Sequence, residues 1–207
     1  EMLGTDGACM HLNIGCPTDV VQDDAIGNQT LGDIDVFSDG GFVVVWDDDA
    51  GDVDGSAAKA RVFEVDGTPT TGELTLNREG VGEQGYTDVA VVTGDEWVAA
   101  FADDGGRVWT RRYDRGGEPV VGRLERTANT TTDGAQLDVA GAQGPDGDIC
   151  LAWSSPYAGN SGTEIVARLI DEDGGLVSKE TQVNSTMGGA QTTPEIVGTD
   201  DGWLAIW

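Results

Sequence analysis

The chain has 207 residues, 38 of them acidic and 11 basic, for a formal net charge of −27. Such a charge excludes a nucleic-acid partner, which needs a basic surface. No run approaches the ~20 apolar residues of a membrane span, and the apolar residues fall in short patterned runs that can close a core, which argues against disorder.

Asp outnumbers Glu by 26 to 12, and lysine occurs only at Lys59 and Lys179. Asp suits turns and calcium loops, and a surface this charged stays soluble where salt screens it. The composition predicts a saline setting, extracellular or at the cell surface.

The chain opens in polar sequence, Glu1-Met2-Leu3-Gly4, with no signal-peptide pattern, as in a mature chain or an excised piece. Residues 8–14 read as a strand, Gly15 as a turn and residues 19–22 as a second strand. Cys9 and Cys16 flank this turn, where a disulfide and two free thiols are both open. His11, the only histidine, sits among Met10, Leu12 and Ile14 and reads as a strand residue. A Ser-His-Asp or Cys-His mechanism would have to use it, and its spacing from the cysteines matches no strong zinc pattern.

From Gln29 onward a repeat sets in. A short strand starts with an acid, at Asp33, and a turn follows at Asp39-Gly40-Gly41. The apolar run Phe42-Val43-Val44-Val45-Trp46 is next, then an acidic loop, residues 47–55. A third strand covers residues 60–63, and a fourth ends at Asn77. The same order returns from Gln84 and Asp88 to Asn129, from Gln136 and Asp138 to Asn184, and in part from Gln191 and Glu195 to Trp207. The closing aromatics Trp46, Phe101, Trp153 and Trp207 are spaced 55, 52 and 54 residues apart. Cys150 lies inside the third apolar run and reads as a small buried hydrophobe.

Four short strands in about 50 residues are the sequence sign of a β-propeller blade. The expected fold is therefore all-β, a β-propeller of four blades with four antiparallel strands each. Residues 1–207 form one domain, with blades at about 28–77, 78–129, 130–184 and 185–207. Residues 8–27 complete the last blade, so that N- and C-terminal strands close the ring together. Gln22 precedes Gln29 by seven residues, the spacing that separates each closing asparagine from the next glutamine.

The motif Asp39-Gly40-Gly41-Phe42-Val43-Val44-Val45-Trp46, with its flanking strands, resembles repeats of large secreted or surface-anchored bacterial proteins. The resemblance covers nearly the whole chain, though the N-terminal strands match poorly and lack the arginine of Arg61, Arg111 and Arg168. It implies a propeller-like fold outside the cell and does not fix an activity.

Asp33, Asp88, Asp138 and Glu195 open the first strands, which line a propeller's channel. Four carboxylates ringing one mouth are candidate ligands of Ca²⁺, with strand-end capping or arginine pairing as the structural alternative. The loop acids Asp47, Asp49, Asp52 and Asp54 form a second candidate calcium site without the closing Glu of an EF-hand. Tyr157 and Asn160, on an exposed loop, are candidate glycan contacts. The three arginines are expected to bridge to acids of the next blade. The leading functional reading is a non-enzymatic, cation-stabilised binding or adhesion module for a glycan or cell-surface protein. A structural spacer or assembly subunit is one alternative, and a glycoside hydrolase using paired carboxylates is another.

Overall fold

A computed structural model describes residues 27–50, 55–78, 82–120, 125–156, 162–171, 173–186 and 188–207. The expected strands at 8–27, with Cys9, His11 and Cys16, lie outside the described residues. Fourteen strands run in chain order: β1 (Gln29–Val36), β2 (Phe42–Asp48), β3 (Ala57–Phe63), β4 (Leu74–Thr75), β5 (Gln84–Val92), β6 (Glu96–Asp103), β7 (Val108–Tyr113), β8 (Arg126–Thr127), β9 (Leu137–Gln143), β10 (Ile149–Ser155), β11 (Glu164–Ile170), β12 (Thr181–Gln182), β13 (Glu195–Thr199) and β14 (Gly202–Ile206). They form three antiparallel four-stranded meanders, β1–β4, β5–β8 and β9–β12, and the hairpin β13–β14. Successive first strands pack on one another, β1 on β5, β5 on β9 and β9 on β13, and the second strands β2, β6 and β10 pack on the first strand of the sheet that follows.

The second strands explain the continuous apolar runs. A strand with one wet face alternates, but β10 is buried at every residue and β6 at all but its two ends. Both faces are covered because a sheet stands on each side. Trp97, Ala99 and Phe101 join the core shared with the first sheet's Val43, Val45 and Leu76. Val98, Ala100 and Ala102 join the core shared with the third sheet's Leu151, Trp153 and Val166. Tyr113 stacks on Trp97 at 4.4 Å and donates its hydroxyl to the Leu76 carbonyl at 3.0 Å, tying the second sheet to the first.

The fourth strands are only two residues long, shorter than the sequence suggests. The reason is the asparagine that ends each one. The Oδ1 atoms of Asn77, Asn129 and Asn184 accept from the N–H of Ala58, Val108 and Ile165 and replace the backbone ladder there. In the first sheet Asn77 Nδ2 also donates to Gln84 Oε1, seven residues on, at 3.0 Å, whereas Asn129 and Asn184 donate to the Thr131 and Thr186 carbonyls. Cys150 is buried as expected, and burial pushes its thiol up to about 11. The arginines differ from expectation. Arg61 and Arg168 donate to the Thr71 and Ser178 carbonyls ahead of their own fourth strands, and Arg168 reaches back to the Ala128 carbonyl of the preceding sheet.

Candidate active site

Strand register decides which first-strand residues share a height. Asp33 pairs with Val45, Asp88 with Ala100, Ala140 with Ala152 and Glu195 with Ile206. Those partners are equivalent positions, each just before the closing aromatic. The channel ring is therefore Asp33, Asp88, Ala140 and Glu195, with an alanine where Asp138 was expected. Asp138 stands two residues earlier, beyond the irregularity between Ala152 and Ser154. It accepts from the Ser154 hydroxyl at 2.9 Å and the Thr193 N–H at 3.2 Å.

Asp33, Asp88 and Glu195 line a cavity of about 390 Å³, together with Asp35, Gln143 and the strand backbones between them. The acids also hold the sheets together. Asp33 accepts from the Val89 N–H at 3.3 Å, Asp35 from Val91 at 2.7 Å and Asp88 from Gly141 at 2.7 Å, each on the following sheet. Gln143 accepts from the Thr93 N–H at 2.9 Å. Asp35 and Gln143 had no assigned role. The signal for Asp35 was the alternation Asp33-Ile34-Asp35, which puts both carboxylates on one face of a strand.

Asp88 is the unusual acid of the group. Its burial pushes its carboxyl well above the usual carboxylate range. The charge of Asp33 and a hydrogen bond to it add to the rise, as does the charge of Glu195, while the Gly141 N–H opposes it. Asp88 is therefore biased toward its protonated form, because two adjacent carboxylates do not both ionise readily. Glu195 is exposed at the start of β13.

Just before the channel ring the backbone is strained. Tyr86, Asp138 and Thr193 have φ values of 57°, 52° and 54°. Each stands two residues before a ring position, at Asp88, Ala140 and Glu195. Such φ values are outliers for bulky or β-branched residues and persist only where neighbours enforce them. Asp47 enforces the first, accepting from the Tyr86 N–H at 2.6 Å and from the Thr87 hydroxyl at 2.5 Å. Burial raises Asp47 above the usual carboxylate range, and these bonds pull it back. Asp49 accepts two bonds of 2.7 Å from Asn28. Asp52, Asp54, Tyr157 and Asn160 lie outside the described residues. Among the described residues no group of three or more His, Cys, Asp or Glu is arranged to hold a metal ion.

No protein-family model matches the chain, and no curated protein sequence is similar to it. Solved structures are similar in fold. An endo-arabinase from Bacteroides thetaiotaomicron superposes with a TM-score of 0.59 at 12% identity, over 92% of this chain and 74% of that one. An α-L-arabinanase from Penicillium chrysogenum, complexed with arabinobiose, gives 0.57 at 11% identity, over 81% and 53%. An α-L-arabinofuranosidase from Fusarium graminearum gives 0.57 at 10%, over 84% and 57%. This chain spans little more than half the length of the last two. Arabinanases of this kind are five-bladed β-propellers. The likeness shows an all-β fold of β-propeller type, with no reading of blade number or closure. It also corrects the leading functional expectation. The structures that share this fold include arabinanases and an arabinofuranosidase, which overturns the non-enzymatic binding or adhesion module as the leading reading.

Proposed function

We propose that the chain is a glycoside hydrolase domain working with the carboxyls of its channel. One observation carries the reading. A cavity of about 390 Å³ brings together Asp33, Asp88, whose carboxyl is pushed toward its protonated form by burial and by Asp33, and the exposed Glu195. Hydrolysis needs a proton donor for the leaving oxygen and a carboxylate for the attacking water. Asp88 is the donor. Its proton passes to the glycosidic oxygen as the bond from the anomeric carbon breaks. Glu195 takes a proton from the water whose oxygen bonds to that carbon. Asp33 keeps Asp88 protonated in the resting site, and its negative charge favours the positive charge that develops on the sugar.

Arabinofuranosides are the first substrates to test, since the fold neighbours are arabinanases and an arabinofuranosidase. Release of reducing sugar from linear arabinan and of nitrophenol from an aryl arabinofuranoside is the assay. Asp88→Asn and Glu195→Gln are expected to lose at least about 100-fold in kcat, the scale of a general acid or base. No turnover by the wild-type chain, or equal turnover by both variants, removes the reading.

The ring belongs to the same proposal. Residues 8–27 supply the third and fourth strands of the β13–β14 sheet and close four blades. Val197, Leu204 and Ile206 on the hairpin, and Ile34 and Val36 on β1, are each more than half exposed. Repeat parity makes these the faces that meet across a closed joint. An extracellular setting, supported by the scarcity of lysine, completes the proposal.

A further inference from the structure

Six buried polar side-chain atoms have no hydrogen-bond partner among the described residues. Four of them, all oxygens, belong to Gln136, Ser155, Thr163 and Glu164 in the third sheet. Register brings three of these residues side by side. Ser155 pairs with Glu164 across β10 and β11. Ser154 pairs with Leu137, so one further step sets Gln136 beside Ser155. Residues paired across antiparallel strands share a face. Parity fixes which face it is. Trp153 pairs with Val166, and both pack in the core shared with the second sheet. Ser155 and Glu164 lie two residues beyond them and point the same way.

These groups are sealed from solvent, Gln136 at 0% exposure and Ser155 and Glu164 at 1% each. Gln136 Nε2 donates to the Gly134 carbonyl, which fixes its oxygen as the free end. Glu164 accepts on Oε2 from Asn184 and Gln182, while Oε1 receives nothing. The corresponding rows of the other sheets leave no such gap. In the first sheet Asp48 accepts from Gln29 and Ala50, and in the second Asp103 accepts from Arg107 and Trp109. In the third sheet a serine takes that place, and the carboxylate comes from the next strand.

Glu164 has no ion-pair partner among the described residues, and a buried carboxylate without counter-charge is strongly disfavoured. What is missing is a positive charge that accepts several hard oxygens at once. Charge balance selects its valence. One carboxylate among neutral oxygens neutralises one unit, whereas tight calcium sites gather several carboxylates. We propose that Gln136 Oε1, Ser155 Oγ and Glu164 Oε1 bind a univalent alkali cation between the second and third sheets. This site is separate from the channel and independent of the hydrolase reading.

Thermal unfolding of the full chain at fixed ionic strength tests it, in sodium chloride, potassium chloride or choline chloride, with calcium chloride as a further arm. Screening of the acidic surface acts alike in all univalent salts. A bound ion adds stability that follows its own concentration, about 5 to 10 °C at 100 times its Kd. The expected result is a higher midpoint in sodium or potassium than in choline, absent in Glu164→Gln and reduced in Ser155→Ala. ²³Na relaxation on the wild-type chain gives a second reading that does not depend on the variants folding. Equal midpoints in alkali and choline salts with no ²³Na broadening overturn the proposal and assign the oxygens to an ordered water. A calcium response without an alkali response overturns it as well.

Discussion

Asp88 shows how one residue can serve both the framework and the chemistry. Its carboxyl binds the Gly141 N–H across a sheet boundary, yet burial and Asp33 push it toward the protonated form. The folded chain therefore holds this proton at pH values where the unfolded chain has released it. Stability from this group is full below the ordinary Asp range and is lost as pH rises through the raised value. Asp88→Asn places an amide where the protonated carboxyl stood, with an acceptor for Gly141 and a donor for Asp33. Calorimetry is expected to show the variant melting above wild type near pH 8, with the gain gone near pH 4. A difference that does not change with pH would show that Asp88 is charged in the fold. Asp33 and Asp88 were legible in the sequence as channel acids. Their coupling was not, because it depends on burial and on the approach of two sheets.

At the scale of the element, the repeat was legible because sandwiched second strands must be apolar on both faces. Trp46, Phe101 and Trp153 mark the beat, and each is buried. Register within the repeat was less legible. Asp33 and Asp88 each precede their aromatic by 13 residues, but Asp138 precedes Trp153 by 15. Counting back from the aromatic gives Ala140, the residue the ladder places in the ring. The acid alone was a misleading marker, because Asp138 serves the strained bend instead. That bend yields its own prediction. Thr193 is β-branched at φ 54°, and among the described residues its hydroxyl bonds only to the adjacent Thr192 carbonyl. Thr193→Gly should raise stability by about 1 kcal/mol in chemical denaturation, since a left-handed backbone costs a branched residue that much or more. Tyr86→Gly should not gain, because Tyr86 also packs against the core between the second and third sheets.

At the scale of the whole molecule, the open question of ring closure becomes a measurement on β14. This strand pairs with β13 alone among the described residues, whereas β2, β6 and β10 each pair on both edges. If residues 8–27 supply the next strand, amides on the free edge of β14 exchange slowly in the full chain. Removal of residues 1–27 should speed their exchange at least about tenfold and lower the melting midpoint, as loss of ladder bonds does. Equal exchange in both chains would leave the joint to another occupant. A concentration-dependent dimer would identify that occupant as a second copy.

The bonds between sheets run both ways along the chain, but those to the start of each inner strand run forward. Asp33, Asp35, Asp47, Asp88 and Asp138 each offer a carboxylate to a backbone N–H of the sheet that follows, while Asp95, Glu125, Gln143 and Glu180 reach back to Ser38, Arg78, Thr93 and Thr130. A ribosome releases the earlier sheet first, and domains can begin to fold from the N-terminal side during synthesis. Each emerging inner strand therefore meets acceptors already set at fixed heights, which select its alignment before its own outer strands exist. Those five acids of the 38 then act as a set of assembly marks, read in the order of translation.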